Sequence, residues 1–188
     1  MKQSFINTVI AVLWSALIVT GMFMVIPIPG SPVPIVLQNM LAVMAGLVLG
    51  PLNGLLSVLL FLVSGALGLP VFSGARGGLA VLAGPTGGYL FGYLGGALIA
   101  GLIAGKPQED KVCPLWKCAA AALLGMLFVY VPGLARLSIM FQGNWAKTIA
   151  TGFIPYILGD LAKVVLMTLS APALRKFYVH IQHYGTNA

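Results

Sequence analysis

Two charged residues, Asp160 and Lys163, lie inside an otherwise apolar run near the C-terminal end of the chain. Three residues apart on a helix, a carboxylate and an ammonium project from one face. Together they can accept and donate hydrogen bonds to a small polar ligand, neutralise one another, or hold a proton. Of ten basic and three acidic residues, only these two fall well inside a predicted membrane span. An ionised group at the centre of a membrane helix costs about 2.5–3.5 kcal/mol or more, so the two must pair or face a polar cavity. A buried pair is often no better than two well-packed apolar residues. That weighs toward a ligand role over mere self-neutralisation.

The elements that must position this pair follow from composition. The chain has 188 residues, 60% hydrophobic and 7% charged, with a mean hydropathy of +1.03. A soluble domain is about 45–50% apolar and about 25% charged, so this chain cannot cover a soluble surface. A cytosolic enzyme, a nucleic-acid binder and a disordered tail are excluded, and the lipid bilayer is its surroundings. A span needs about 20 apolar residues. The runs 5–26, 35–49, 52–69, 79–104, 115–140 and 151–174 predict an all-α integral membrane protein, a six-helix bundle in one membrane domain covering residues 1–188. Gly50-Pro51 marks a tight turn between the second and third runs, because Pro cannot continue a helix ladder.

The net charge of +7 is explained by basic loops flanking the runs rather than by a nucleic-acid partner. With six spans, one face carries Lys2, Lys106, Lys111, Lys117, Arg175 and Lys176, and the other Arg76, Arg136 and Lys147. This asymmetry places both termini in the cytoplasm and the protein in the plasma membrane. Cys113 and Cys118 form no metal or disulfide pattern, and His180 and His183 sit in the polar tail.

Two segments on the outer face are unusual: the proline-stiffened 27–34 and the apolar, glycine-rich 70–78. The first can be neither helix nor central strand. Each reads equally as a lid over a cavity or as a short connector. In the fourth run Gly84, Gly88, Gly92, Gly96, Ala100 and Ala104 recur every four residues, a stripe that lets another helix backbone approach closely. A shorter stripe, Ala11, Ser15 and Val19, offers a second association face.

The last span enters from the outer face, and Pro155 makes a plausible helix start. Asp160 then lies about 8 Å deep at about 1.5 Å per residue, in the outer half of the membrane, as uptake from outside requires. No phosphate-binding loop, zinc motif, nucleophile elbow or acidic cluster is present, so no metal or cofactor is expected, and a binding or transport protein is favoured over an enzyme. Two readings remain: a substrate-binding subunit, or a self-sufficient proton-coupled carrier using Asp160.

The run Pro34-Ile35-Val36-Leu37-Gln38, then Gly50-Pro51, then Gly65 to Phe72 (Gly-Ala-Leu-Gly-Leu-Pro-Val-Phe) resembles the BioY family, as does Gly77 to Leu90 with its Gly-Pro-Thr-Gly-Gly-Tyr stretch. BioY proteins are the biotin-binding S components of energy-coupling factor (ECF) transporters. The resemblance covers nearly the whole chain. It implies a six-helix bundle of the ECF S-component type, a ligand site near the outer face, and three partners: a transmembrane coupling subunit and two cytoplasmic ATPases. The first helix would meet the coupling subunit through Ala11 and Ser15.

By the same resemblance Asp160 and Lys163 are the family's acid and base of the last helix. Biotin's ureido ring presents N–H donors to a carboxylate and a carbonyl to an ammonium, and charge-assisted bonds of this kind are strong. Phe72 and Tyr89 are candidates for the apolar walls, Gln38 for a further hydrogen bond, and Arg76 for pairing with the valerate carboxylate near the exit. Gly78 and Gly87 complete the expected site, shaping backbone rather than touching the ligand through side chains.

Overall fold

Glycine and proline set the ends of the helices into which the apolar runs fold. The computed structural model describes residues 2–108 and 112–187. Helix α1 (Lys2–Thr20) tightens into a 3₁₀ turn at Gly21–Phe23. A short antiparallel hairpin follows, β1 (Val25–Ile26) pairing Val25 with Val36 and Ile26 with Ile35 of β2 (Ile35–Val36). The proline-rich segment 27–34 is therefore the hairpin's loop. Helix α2 (Gln38–Leu49) stops at Gly50, whose φ of +85° suits a residue without Cβ, and Pro51 opens α3 (Pro51–Ala66). Then come α4 (Leu79–Ala83), α5 (Gly87–Ala104), α6 (Leu115–Met140), α7 (Trp145–Gly152) and α8 (Ile157–Asn187).

The helices differ from six uniform spans. Four segments are long and apolar enough to cross a membrane: Ser4–Phe23, Gly87–Ala104, Leu115–Met140 and Trp145–His183. Helices α2 and α3 have 12 and 16 residues. At about 1.5 Å per residue they fall short of a hydrocarbon core about 30 Å thick. The fourth predicted run breaks at Gly84-Pro85-Thr86 into α4 and α5. The sixth breaks at the 3₁₀ turn Ile154–Tyr156, so α8 starts two residues after Pro155 and Asp160 lies in its first turn. Continuous apolarity marked what is buried in protein or lipid, and these breaks carry no polarity signal.

Helix α2 is the centre of the bundle, buried from Leu41 to Leu49 and packed on α3, α5, α6 and α8. A helix apolar all round belongs in such a position. Backbones approach closely where side chains are absent. A Cβ on Gly92 would lie 2.6 Å from the Val129 carbonyl oxygen, and one on Gly96 would lie 2.7 Å from that of Gly125. The four-residue stripe of α5 thus seats α6, while Gly84 stands outside the helix. On the other side, Gly46 rests against the Ala97 carbonyl and Gly54 against the Gly46 backbone.

The two ends of the bundle are chemically distinct. At one end lie the 27–34 loop, the 70–76 loop and the start of α8. At the other, Asn7 near the chain start accepts from Gln182 near its end (2.6 Å), and the turns at Gly50 and Gly105 close around Arg175. Arg175 is only 6% exposed. It donates to the carbonyls of Leu47 (2.5 Å), Ala104 (3.3 Å) and Gly105 (2.9 Å), so one guanidinium caps the C-termini of α2 and α5, where carbonyls lack partners and the helix dipole favours a cation. Arg175 is therefore not a loop cation, as the charge count across faces assumed. Lys111, and the side chain of Lys2, lie outside the described residues.

Candidate functional site

Asp160 and Lys163 meet side by side, Nζ to Oδ1 at 2.8 Å, and both are buried. Position in the first turn of α8 suits the carboxylate, since the helix N-terminus favours negative charge. Three further elements complete the cluster. Lys163 Nζ donates to the Val36 carbonyl at the end of β2 (2.8 Å) and to Asn39 Oδ1 in the first turn of α2 (3.0 Å). Asn39 Nδ2 donates to Asp160 Oδ1 at 3.4 Å, and the Tyr130 hydroxyl of α6 donates to Asp160 Oδ2. All three ammonium protons have acceptors. Lys163 has no free proton, so a ligand carbonyl must exchange for one of its bonds.

Two adjoining clefts open beside this cluster. Val33, Pro34, Val36, Tyr89 and Tyr93 form walls of both. The first reaches Asn39, Lys163, Tyr130 and Tyr156; the second reaches Gln38, Phe72, Ser73 and Arg76. The hairpin loop roofs them and is tied down: Tyr156 OH donates to the Val33 carbonyl (2.5 Å), and the Ser31 and Tyr156 hydroxyls bond at 2.8 Å. The Thr151 carbonyl, 2.8 Å from Ser31 Oγ, competes for the same Ser31 proton. The 70–76 segment forms a tight turn, with Phe72 N–H donating to the Arg76 carbonyl at 2.9 Å and the return bond at 3.2 Å.

The expected residues fall into three groups. Lys163 and Tyr89 line the first cavity, with Asp160 bonded to Lys163 behind it; Gln38, Phe72 and Arg76 line the second, which Tyr89 also walls. Tyr89 spends its hydroxyl on the Gly152 carbonyl (2.9 Å) and so offers its ring rather than a polar group. Phe72 is buried edge-on against Phe61 at a centroid distance of 5.4 Å. Gly78 and Gly87 line neither cavity. Gly78 caps the start of α4 at φ +90°, and a Cβ on Gly87 would collide with the Leu82 carbonyl. Ala11 and Ser15 are 0% and 8% exposed, because α1 turns this stripe inward onto the bundle it packs against. They are not an open docking face; the large apolar residues that α1 exposes are Phe5, Val9, Val12, Leu13 and Leu17.

Asn39, Tyr130, Tyr156 and the Val36 carbonyl went unpredicted. Tyr130 and Tyr156 carried a weak signal, since a buried tyrosine hydroxyl needs a partner. Nothing in the sequence says that α6 delivers one of them to Asp160.

A bundle of membrane helices enclosing a part-apolar, part-polar pocket beside a buried ion pair defines a multi-pass membrane protein that binds a small solute. Comparison with known proteins gives the family. The BioY family model matches residues 1–180, and the chain belongs to the BioY family. It is 39% identical over 167 residues to the biotin transporter BioY of Thermotoga maritima, covering 89% of this chain and 94% of that one. The biotin transporter BioY of Rhodobacter capsulatus is 36% identical over 182 residues, with 91% and 94% covered. A crystal structure of the S-component for biotin from an ECF-type ABC transporter superposes with a TM-score of 0.82 at 32% identity, covering 93% of each chain. Family members are S components of transporters and not enzymes.

Proposed function

We propose that this chain is the biotin-binding membrane subunit of an ECF-type uptake system, capturing biotin at the end roofed by the 27–34 loop. The observation that carries the reading is the Asp160–Lys163–Asn39 cluster beside a tyrosine-walled cavity. The ureido ring needs an acceptor for its N–H groups and a donor for its carbonyl, and Asp160 and Lys163 supply both once Lys163 gives up its bond to Val36 or Asn39. Tyr89, Tyr93 and Phe72 wall the apolar ring and chain. Arg76, exposed at the edge of the second cavity, pairs with the valerate carboxylate. Biotin is cargo here, and no cofactor is required.

A transmembrane coupling subunit and two ATPases would supply the driving force, the coupling subunit meeting the exposed face of α1 rather than Ala11 and Ser15. Both termini lie in the cytoplasm. All six apolar helices then count as crossings, α2 included. Its first turn meets Lys163 and its last turn meets Arg175, so it runs the depth between those two residues despite its length. The loops 27–34 and 70–76 complete the crossing at the outer end.

Titrating biotin into the detergent-purified chain by calorimetry tests this reading. Saturable nanomolar binding, absent for a vitamin without a ureido ring, is expected. A folded sample that does not bind biotin would overturn it. Uptake by the purified chain alone, driven by a pH gradient, would favour a proton-coupled carrier instead.

A further inference from the structure

The end of the bundle away from Asp160 carries a cleft of its own, where the N-terminus of α3 meets the 105–107 turn, α1 and α8. Gly50 allows this meeting, since a Cβ there would lie 3.3 Å from Pro107 Cδ and 3.6 Å from Lys106 Cα. Lys106 therefore rises from the rim beside the first turn of α3. It is exposed and has no hydrogen bond or ion pair among the described residues. Gly50 caps α3 without a side chain, and the first bond back to it comes from Gly54. The N–H groups of Leu52 and Asn53 consequently have no acceptor among the described residues, as the first turn of a helix leaves them.

Tyr178 faces them from α8 and is 4% exposed. Its oxygen accepts from Asn53 Nδ2 at 2.8 Å and from Gln182 Nε2 at 2.7 Å. Both lone pairs are then spent, and the hydroxyl proton has no acceptor among the described residues. Buried donors are almost always bonded, so this one calls for an acceptor from outside the chain. Gln182 Nε2 also donates to Asn7 Oδ1 at 2.6 Å, which holds the amides in this sense. No carboxylate lines the cleft among the described residues. Arg175, bonded to the Gly105 carbonyl, adds positive charge behind the wall.

We propose that this cleft is a binding site for a phosphate group. Two N–H groups at a helix N-terminus, a tyrosine proton and an ammonium form a donor set suited to a tetrahedral oxyanion, and the α3 dipole adds to the attraction. The level of the cleft favours a lipid headgroup as the source. Tyr178 lies 18 residues beyond Asp160 on α8, about 27 Å at about 1.5 Å per residue, close to the thickness of a hydrocarbon core of about 30 Å. Leu52, 68% exposed on the cleft wall, offers apolar surface to the acyl chains.

Calorimetric titration of the detergent-purified full chain tests this with three ligands: short-chain phosphatidylglycerol, a diacylglycerol of the same chains, and inorganic phosphate. Phosphatidylglycerol is expected to saturate one site, and the diacylglycerol to leave it empty. Lys106→Gln is expected to weaken phosphatidylglycerol about tenfold and Tyr178→Phe about fivefold. Lys176→Gln, which removes an exposed lysine outside the cleft, should change nothing. Lys106 is exposed, so its variant keeps the fold and carries the test alone if Tyr178→Phe unfolds. Binding of inorganic phosphate alone, with the same losses in the variants, would uphold the phosphate site and make its source a soluble one. No binding of either phosphate-bearing ligand would overturn the proposal. So would equal losses in Lys106→Gln and Lys176→Gln, the mark of diffuse surface charge, or equal binding of the diacylglycerol, the mark of an acyl groove.

Discussion

Helix α8 buries two cations, and they do different things. Lys163 sits in its second turn among a carboxylate, an amide and a strand-end carbonyl, beside a cavity. Arg175, about 18 Å further along at about 1.5 Å per residue, meets only backbone carbonyls at the ends of α2 and α5. Both are buried to the same degree, so burial of a charge does not by itself mark a site. The partners make the difference. Carbonyls at a helix C-terminus have no other donor and hold a cation for good. A lysine shared among an acid, an amide and a carbonyl can trade one of them for a ligand.

Removing Lys163 breaks this contrast most severely. Lys163→Met leaves Asp160 buried beside Tyr130 and Asn39 alone, and biotin affinity is expected to fall by a hundredfold or more, as truncating one member of a buried charged pair costs about 2–5 kcal/mol. Calorimetric titration measures it. Next in size is Arg175→Met, which strands three carbonyls and is expected to lower stability by about 3 kcal/mol. Thermal unfolding in detergent reads that loss, and the folded fraction should bind biotin as wild type does. Tyr130→Phe removes the hydroxyl on Asp160 Oδ2 and is expected to cost about tenfold in affinity, with little change in unfolding temperature. The smallest effect is expected from Tyr156→Phe. It frees the 27–34 loop from one of its ties, and stopped-flow release of biotin should quicken about threefold to fivefold.

Part of this arrangement was legible in the sequence. Asp160 and Lys163 stood out because intramembrane charge is costly and helical spacing put them on one face. The tie between the 27–34 loop and Tyr156 was not legible, since the prolines marked a stiff segment without saying what holds it. What one helix meets on another was not legible. Arg175 counted as a surface cation because a tally of charge by face cannot see that α2 and α5 end beside it. Ala11 and Ser15 announced a close helix approach without saying whose, and the bundle itself takes up that face. The lengths of α2 and α3 were hidden because residues enclosed by protein are as apolar as residues in lipid.

The most direct test of the central claim sets Lys163→Met beside Arg175→Met in one biotin titration, each corrected for its folded fraction. Lys163→Met is expected to weaken biotin binding a hundredfold or more, while Arg175→Met keeps wild-type affinity despite its lower stability. Equal affinity in both variants, or a loss confined to Arg175→Met, would contradict it.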